Sequence, residues 1–215
     1  MTRVAGQHAR RRVRVLALRT LLVLTCIVVV TVIAGLALGW KSLPFVIVEL
    51  AAIGAMALLD KVAFPIIDRW DRGAVGEETV GKILDALADE GWYSIHDVDT
   101  GRGNIDHVVI GPNGVFTVET KSHPGRIRAA NVDPAMLRQS YAQSKTLERI
   151  TGIQVHPLLV FSRAFLTPAV SRQRGVTVLP ARMLAGHLAR RDQRLDATET
   201  NRIHVQLSAA FDPSQ

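Results

Sequence analysis

Cysteine is nearly missing from this chain: Cys26 is the only one in 215 residues, which excludes an intrachain disulfide and any zinc site built on cysteines. There is no phosphate-cradling glycine loop, no serine-nucleophile elbow and no His-X-X-X-His pair, so P-loop hydrolysis, serine-based acyl transfer and zincin-type proteolysis lack their machinery. No long repeat or low-complexity tract is present, so a solenoid or array is not indicated. Acidic residues are absent from residues 1–41, which carry seven Lys/Arg. That segment therefore accounts for the whole formal charge of +7, and the other 19 Lys/Arg balance 19 Asp/Glu. The high isoelectric point is first a membrane-orientation signal and says little about nucleic acid.

Charge is also absent from residues 20–40, a run of 21 preceded by Arg3, Arg10, Arg11, Arg12, Arg14 and Arg19. Such a run is long enough to cross a bilayer core as a helix. A secretory signal peptide is the alternative, but its apolar region is usually shorter and ends in a small-residue cleavage site, which is not evident here. Residues 42–59 form a second apolar run of 18 with Glu49 as its one charge, and residues 62–67 resume it after Asp60 and Lys61. Glu49 is either a functional intramembrane group or a side chain facing the partner helix or an interface. Trp40, Lys41, Ser42 and Pro44 allow only a short connection, so the two runs are expected to form a helical hairpin. The arginine bias keeps the start of the chain in the cytoplasm, and a hairpin returns the remainder to that side. The expected organisation is a basic cytoplasmic segment at 1–19, a two-helix membrane anchor at 20–67 and a soluble domain at 71–215.

In the soluble part, apolar spacing predicts an amphipathic helix over 74–90 stopped by Gly91, then a strand over 92–98. Residues 105–110 and 115–121 are β-type runs separated by Gly111, Pro112, Asn113 and Gly114, a concentrated turn signal, and are expected to form a hairpin. Asp133 and Pro134 are a plausible N-cap and first residue of a helix that Gly152 ends. Strands are expected over 155–161 and 176–179, and helices over 181–189 and 198–210. Residues 60–119 carry twelve acidic and five basic side chains, whereas 120–194 carry three acidic and thirteen basic. An acidic half facing a basic half suits a nuclease cleft.

The hairpin carries the chemistry. Asp106 lies in its first strand, and Glu119 and Lys121 share a face of its second. A carboxylate in a half-buried sheet costs several kcal/mol unless it is paired or holds a metal. Two hard oxygen ligands suit Mg²⁺ or Mn²⁺. A lysine beside them can orient or help deprotonate an attacking water and stabilise charge on a phosphate. The bland alternative is that the acids are solvated and the Glu119–Lys121 pair is a surface ion pair worth little. His107 either donates near this site or packs on the opposite face from Asp106.

Asp106, followed after a hairpin by Glu119-Thr120-Lys121, resembles the Asp...(Asp/Glu)-X-Lys signature of restriction-endonuclease-like nucleases. The wider context resembles the nuclease-related domain called NERD: Gly73-Ala74-Val75-Gly76-Glu77 its opening helix motif, Ile105 to Val109 its central strand, Gly114 to Lys121 its hairpin return, and Pro134 to Gln139 its glutamine-bearing helix. The likeness covers about residues 73 to 162. Ile105 replaces the proline of the broader superfamily, as is usual for NERD, and His123-Pro124 stands where an aromatic residue often follows the lysine. The resemblance implies an α/β domain with a restriction-endonuclease-like αβββαβ core and mixed sheet. It also implies divalent-metal dependence through Asp106 and Glu119, with Glu77 and Gln139 in support. The expected function is a membrane-anchored phosphodiesterase acting on DNA or RNA at the cytoplasmic face. The alternative is a catalytically weak or inactive module of the same fold that holds nucleic acid or protein at the membrane.

The topology is directly testable: a reporter fused at Gln215 should be active only in the cytoplasm. Activity restricted to the outside would refute the hairpin, and a soluble product trimmed near residue 40 would establish the signal-peptide alternative.

Overall fold

In the computed structural model, which describes residues 5–101, 103–190 and 192–211, the chain divides into two units, residues 8–72 and the remainder. Arg3 and Arg102 lie outside the described residues.

The first unit is a helical hairpin. Helix α1 (Gln7–Leu38) and the first part of α2 (Leu43–Asp85) are long and apolar enough to cross a membrane by length and composition, and their apolar windows are almost wholly unburied. The turn between them needs Gly39 at φ +82°, and the Ser42 side chain accepts from the Phe45 N–H at 3.3 Å. Trp40 folds back on Gly35, where a Cβ would sit 2.6 Å from the indole, and meets Phe45 edge-on. At the other end of the pair, Arg10 bonds Asp71 at 2.6 Å and Arg12 covers Trp70. Glu49 lines a groove between the helices with Ile27, Val28, Thr31, Ile53 and Met56, so it faces the partner helix. Pro65 sits inside α2.

The second unit corrects one expected boundary. The helix expected over 74–90 is the tail of α2: it stops at Asp85, and residues 88–90 form a 3₁₀ turn that Gly91 closes at φ +81°. Of the apolar positions at helical spacing, Val80, Leu84 and Leu87 are buried and Ile83 partly so, whereas Val75 is 44% exposed. Strands β1 (Tyr93–Asp99), β2 (Asn104–Gly111) and β3 (Gly114–Lys121) follow as an antiparallel meander. Helix α3 (Pro134–Thr151) starts under an Asp133 cap that accepts the Ala135 N–H, and ends at left-handed Gly152. It carries the chain over to β5 (Val155–Phe161), parallel to β3. The order α2, β1–β3, α3, β5 is the expected αβββαβ core, and the sheet is mixed.

Strand β8 (Val176–Pro180) extends the sheet parallel to β5, and β7 (Ser171–Gln173) closes the edge antiparallel, giving the order β1-β2-β3-β5-β8-β7. Strands β4 (Gly125–Arg128) and β6 (Ala164–Thr167) form a separate parallel ribbon. These last three additions, β4, β6 and β7, have only three or four residues each, too few to show periodicity in sequence. Helices α4 (Leu184–Ala189) and α5 (Ala197–Ala210) complete the chain. The sheet is covered on both faces. Val80 and Leu84 from α2 and Leu184 and Leu188 from α4 pack on Phe116, Val118 and Leu158, while Leu147 of α3 and Ile203 and Leu207 of α5 pack on Val108, Ile110 and Val115. Each such fully buried side chain contributes about 1.5–3 kcal/mol.

His107 belongs to the packing and not to the site. Its Nδ1 lies 2.8 Å from Nδ1 of His96, whose Nε2 is 2.9 Å from Asp85 Oδ1. The direction of the bond between the two rings follows the protonation of His96: a neutral His96 that gives its Nε2–H to Asp85 accepts from His107 Nδ1–H, and a protonated one donates to His107 Nδ1. Burial, and then the neighbouring His96, hold His107 well below the usual imidazole range, so it is neutral.

Close packing at the hairpin turn is severe. A Cβ on Gly111 would lie 2.1 Å from the Trp92 ring, so Gly111→Ala should destabilise the domain by about 2–4 kcal/mol, read by chemical denaturation. Gly186, with open space around its Cβ position inside α4, is the control: Gly186→Ala should be neutral or stabilising by up to about 1 kcal/mol.

Candidate active site

The site forms where β2 and β3 part. Their ladder runs from Gly111 opposite Gly114 to His107 opposite Val118 and stops there. One further step would set Asp106 opposite Glu119. Instead the Asp106 carboxylate occupies the fork, Oδ2 accepting the Thr120 N–H at 2.7 Å in place of a strand-to-strand bond. Glu119 is 3% exposed, and each of its two oxygens accepts from a side-chain donor. Oε1 accepts from Lys121 Nζ at 2.5 Å and Gln139 Nε2 at 2.8 Å, and Oε2 accepts from Gln143 Nε2 at 2.6 Å. Gln139 and Gln143 stand one turn apart on the same face of α3. Gln139 Oε1 also accepts from Lys121 Nζ at 3.3 Å, and the Gln143 amide further donates to the Asn104 carbonyl at 3.0 Å. Both donations fix which way the Gln143 amide points.

Glu77 enters from α2, one turn before Val80 on the stripe that faces the sheet. Gly76 beside it permits close approach, because a Cβ there would meet Ser162 Oγ at 2.8 Å and Ser122 Cβ at 3.1 Å. The Glu77 carboxyl is pushed up to about 7, first by burial, then by the charges of Asp97 and Glu119, with Lys121 opposing. Burial, with Glu119 and Glu77 next, raises Asp106 well above the usual carboxylate range against the Thr120 N–H and Lys121. Mutual electrostatics link Glu77, Asp106, Glu119 and Lys121, and hydrogen bonds join Glu119, Lys121 and Gln139, so all five residues picked out in the sequence share one neighbourhood.

Two further members were not picked out. Asp97 is 5% exposed and sits in β1 at φ +51°, bonded by Asn104 Nδ2 at 3.1 Å. The left-handed residue interrupts the β1–β2 pairing between His96–His107 and Val98–Ile105. An acid within an apolar strand run was the available signal, the same one that marked Asp106. For Gln143, the signal was its spacing of four from Gln139.

An all-oxygen donor set of mutually repelling carboxylates fits a hard divalent cation. Two buried oxygens of these residues, Thr120 Oγ1 and Gln143 Oε1, have no hydrogen-bond partner. Among the described residues no three His, Cys, Asp or Glu groups already close on a single point, so the residues that would hold such an ion are the pair Asp106 and Glu119.

Residues 72–162 match the family described as NERD, nuclease-related domain. An uncharacterized protein of Bacillus anthracis is 37% identical over 86 residues, 38% of this chain and 40% of that protein, so the chain spans well under half the relative's length. A solved repair endonuclease from Pyrococcus abyssi aligns with 15% identity over 53% of this chain and 42% of its own, at a TM-score of 0.29.

The clamp on Glu119 makes a comparative prediction. Gln143→Met keeps the volume but leaves a buried carboxylate oxygen without its donor, which should cost about 1–3 kcal/mol in denaturant unfolding. Gln139→Met at its exposed position should stay within about 0.5 kcal/mol, since Lys121 still serves the same oxygen.

Proposed function

We propose, from the premise that residues 72–162 are a nuclease-related domain, that this chain is a membrane-anchored, cytoplasm-facing, metal-dependent nuclease that hydrolyses phosphodiester bonds of DNA or RNA. The observation that carries the reading is the neighbourhood that Glu77 of helix α2 shares with Asp106, Glu119 and Lys121 of two strands at a fork in the sheet, close enough that the Glu119 charge adds to burial in raising the proton affinity of both Glu77 and Asp106. Buried like charges are costly unless something compensates them, and a site that compensates them fully would need no raised carboxyl groups.

Asp106 and Glu119 would hold Mg²⁺ or Mn²⁺. The ion, when bound, supplies Lewis-acid polarisation of a phosphate oxygen and a more acidic water. Glu119 is kept in place by the two glutamine amides. Lys121 Nζ, beside Glu119 and partly exposed, can donate to a phosphate oxygen as negative charge develops, or orient the attacking water. Gln139 positions that ammonium through its own Oε1. Glu77, near half protonated around neutrality in the metal-free protein, can give up its proton when positive charge arrives. The two apolar helices, with Arg10, Arg11, Arg12, Arg14 and Arg19 all before or at the start of the first apolar run, support anchoring with both ends on the cytoplasmic side.

One observation favours a second reading. Both Glu119 oxygens already have protein donors, as in a site that has settled without metal. A catalytically inactive module binding nucleic acid or protein would look so.

Cleavage of single- and double-stranded DNA and RNA by the purified full chain, with Mg²⁺ or Mn²⁺ and with chelator, separates the two. Asp106→Asn and Glu119→Gln should each abolish metal binding and cleavage while leaving the fold intact. Lys121→Ala should retain metal binding and lose about two to four orders of magnitude in turnover. Undiminished cleavage by Lys121→Ala would refute its role, and unchanged metal affinity in Asp106→Asn would return the acids to a structural one.

A further inference from the structure

The ribbon of β4 and β6 follows directly from the strands that build the site. β4 begins four residues after Lys121, and β6 three residues after Phe161, which is Lys121's partner in register. One face of the ribbon is buried: Ile127, Ala164 and Leu166 pack with Val132, Leu137 and Phe161. The other face presents Arg126 beside Phe165 and Arg128 beside Thr167, paired in register. Phe165 is 60% exposed, the most exposed aromatic side chain of the second unit, and the Arg182 guanidinium lies 4.9 Å from its ring centroid.

This face is unusual in three respects. An aromatic ring that could have been buried is held outward by strand alternation. No acidic residue lies on either strand. Among the described residues, Arg126, Arg128, Arg163 and Arg182 make no ion pair or side-chain hydrogen bond, so four guanidinium groups on or next to the ribbon stand without a counter-charge, one of them over the Phe165 ring.

We propose that this face is a platform for single-stranded nucleic acid, on which a base stacks against Phe165 while Arg126, Arg128 and Arg182 engage the flanking phosphates. Stacking on an aromatic ring needs an unpaired base, since a duplex offers only base edges and phosphates. The arginines supply the sequence-independent electrostatic share. Arg126 is five residues from Lys121, so at full extension the two lie at most about 18 Å apart. A strand resting on the ribbon therefore lies within a few nucleotides of the site. The inference rests on the nuclease reading for its ligand class, and gives that class a form: single-stranded, read without sequence preference.

The test measures binding without cleavage. The full chain in detergent or nanodiscs, in EDTA, is titrated into fluorescein-labelled 15-nucleotide single strands and a matching hairpin duplex, followed by anisotropy. Phe165→Ala should weaken single-strand binding by about 5- to 150-fold, the range that base stacking on an aromatic spans. It should leave duplex binding and the thermal unfolding midpoint unchanged, and Phe165→Trp should restore affinity. Arg126→Ala and Arg128→Ala should each reduce the slope of log affinity against log salt by about 0.7. Unaltered single-strand affinity in Phe165→Ala, an equal loss on the duplex, or no oligonucleotide binding by the parent would each overturn the proposal. Intact Phe165-dependent binding by a protein that never cleaves with Mg²⁺ or Mn²⁺ would instead refute the nuclease reading and leave the platform standing.

Discussion

The bond from the Thr120 N–H to the Asp106 carboxylate is the constraint on which the site depends. A β-ladder normally satisfies its amides with carbonyls; here a side-chain oxygen takes that place, so β2 and β3 can diverge without leaving a buried N–H unpaired. The divergence opens the space into which Glu77 and Glu119 bring their carboxylates. It also ties the position of Asp106 to the backbone next to Glu119 and Lys121, so the strands cannot drift apart without breaking the bond.

Around that fork the packing works in opposition to the electrostatics. The apolar cluster of Val80, Leu84, Phe116 and Val118 pulls α2 onto the sheet, and Gly76 removes the side chain that would hold it off. The same approach buries Glu77 next to Asp97 and Glu119, raising the energy of its charged form. Hydrophobic burial on the order of a few kcal/mol per side chain is large enough to hold acids together that would separate in water. The strain is of the kind that proteins keep where charge is to be received.

Much of this was legible in the residues. The Gly-Pro-Asn-Gly turn set the hairpin register, and strand alternation then put Glu119 and Lys121 together and sent His107 to the other face. Asp133 and Gly152 marked both ends of α3. Asp97 offered the same signal, an acid within a strand run, but its left-handed backbone, which interrupts the β1–β2 pairing, has no mark in the sequence. The length of α2 was hidden by Asp60, Lys61, Pro65 and Gly73, each a plausible interruption; the helical backbone continues through all four, although Pro65 has no N–H to donate, so local punctuation lost to continuity. The ribbon of β4 and β6 escaped notice because strands of four residues, one of them with two arginines, carry no pattern distinguishable from a loop.

The clamp on Glu119 has a bearing on how a charged site can be both rigid and receptive. Had arginines stood at positions 139 and 143, they would have gripped the carboxylate at least as firmly, but each would have brought a full positive charge and cancelled the negative potential that an incoming cation would meet. Amides grip through dipoles. They immobilise Glu119 while adding no net charge, so the one neutralising cation in contact with it is Lys121, whose flexible chain and partial exposure let it swing aside. Anchoring and neutralisation are thereby assigned to different chemical groups, and only the second is free to leave.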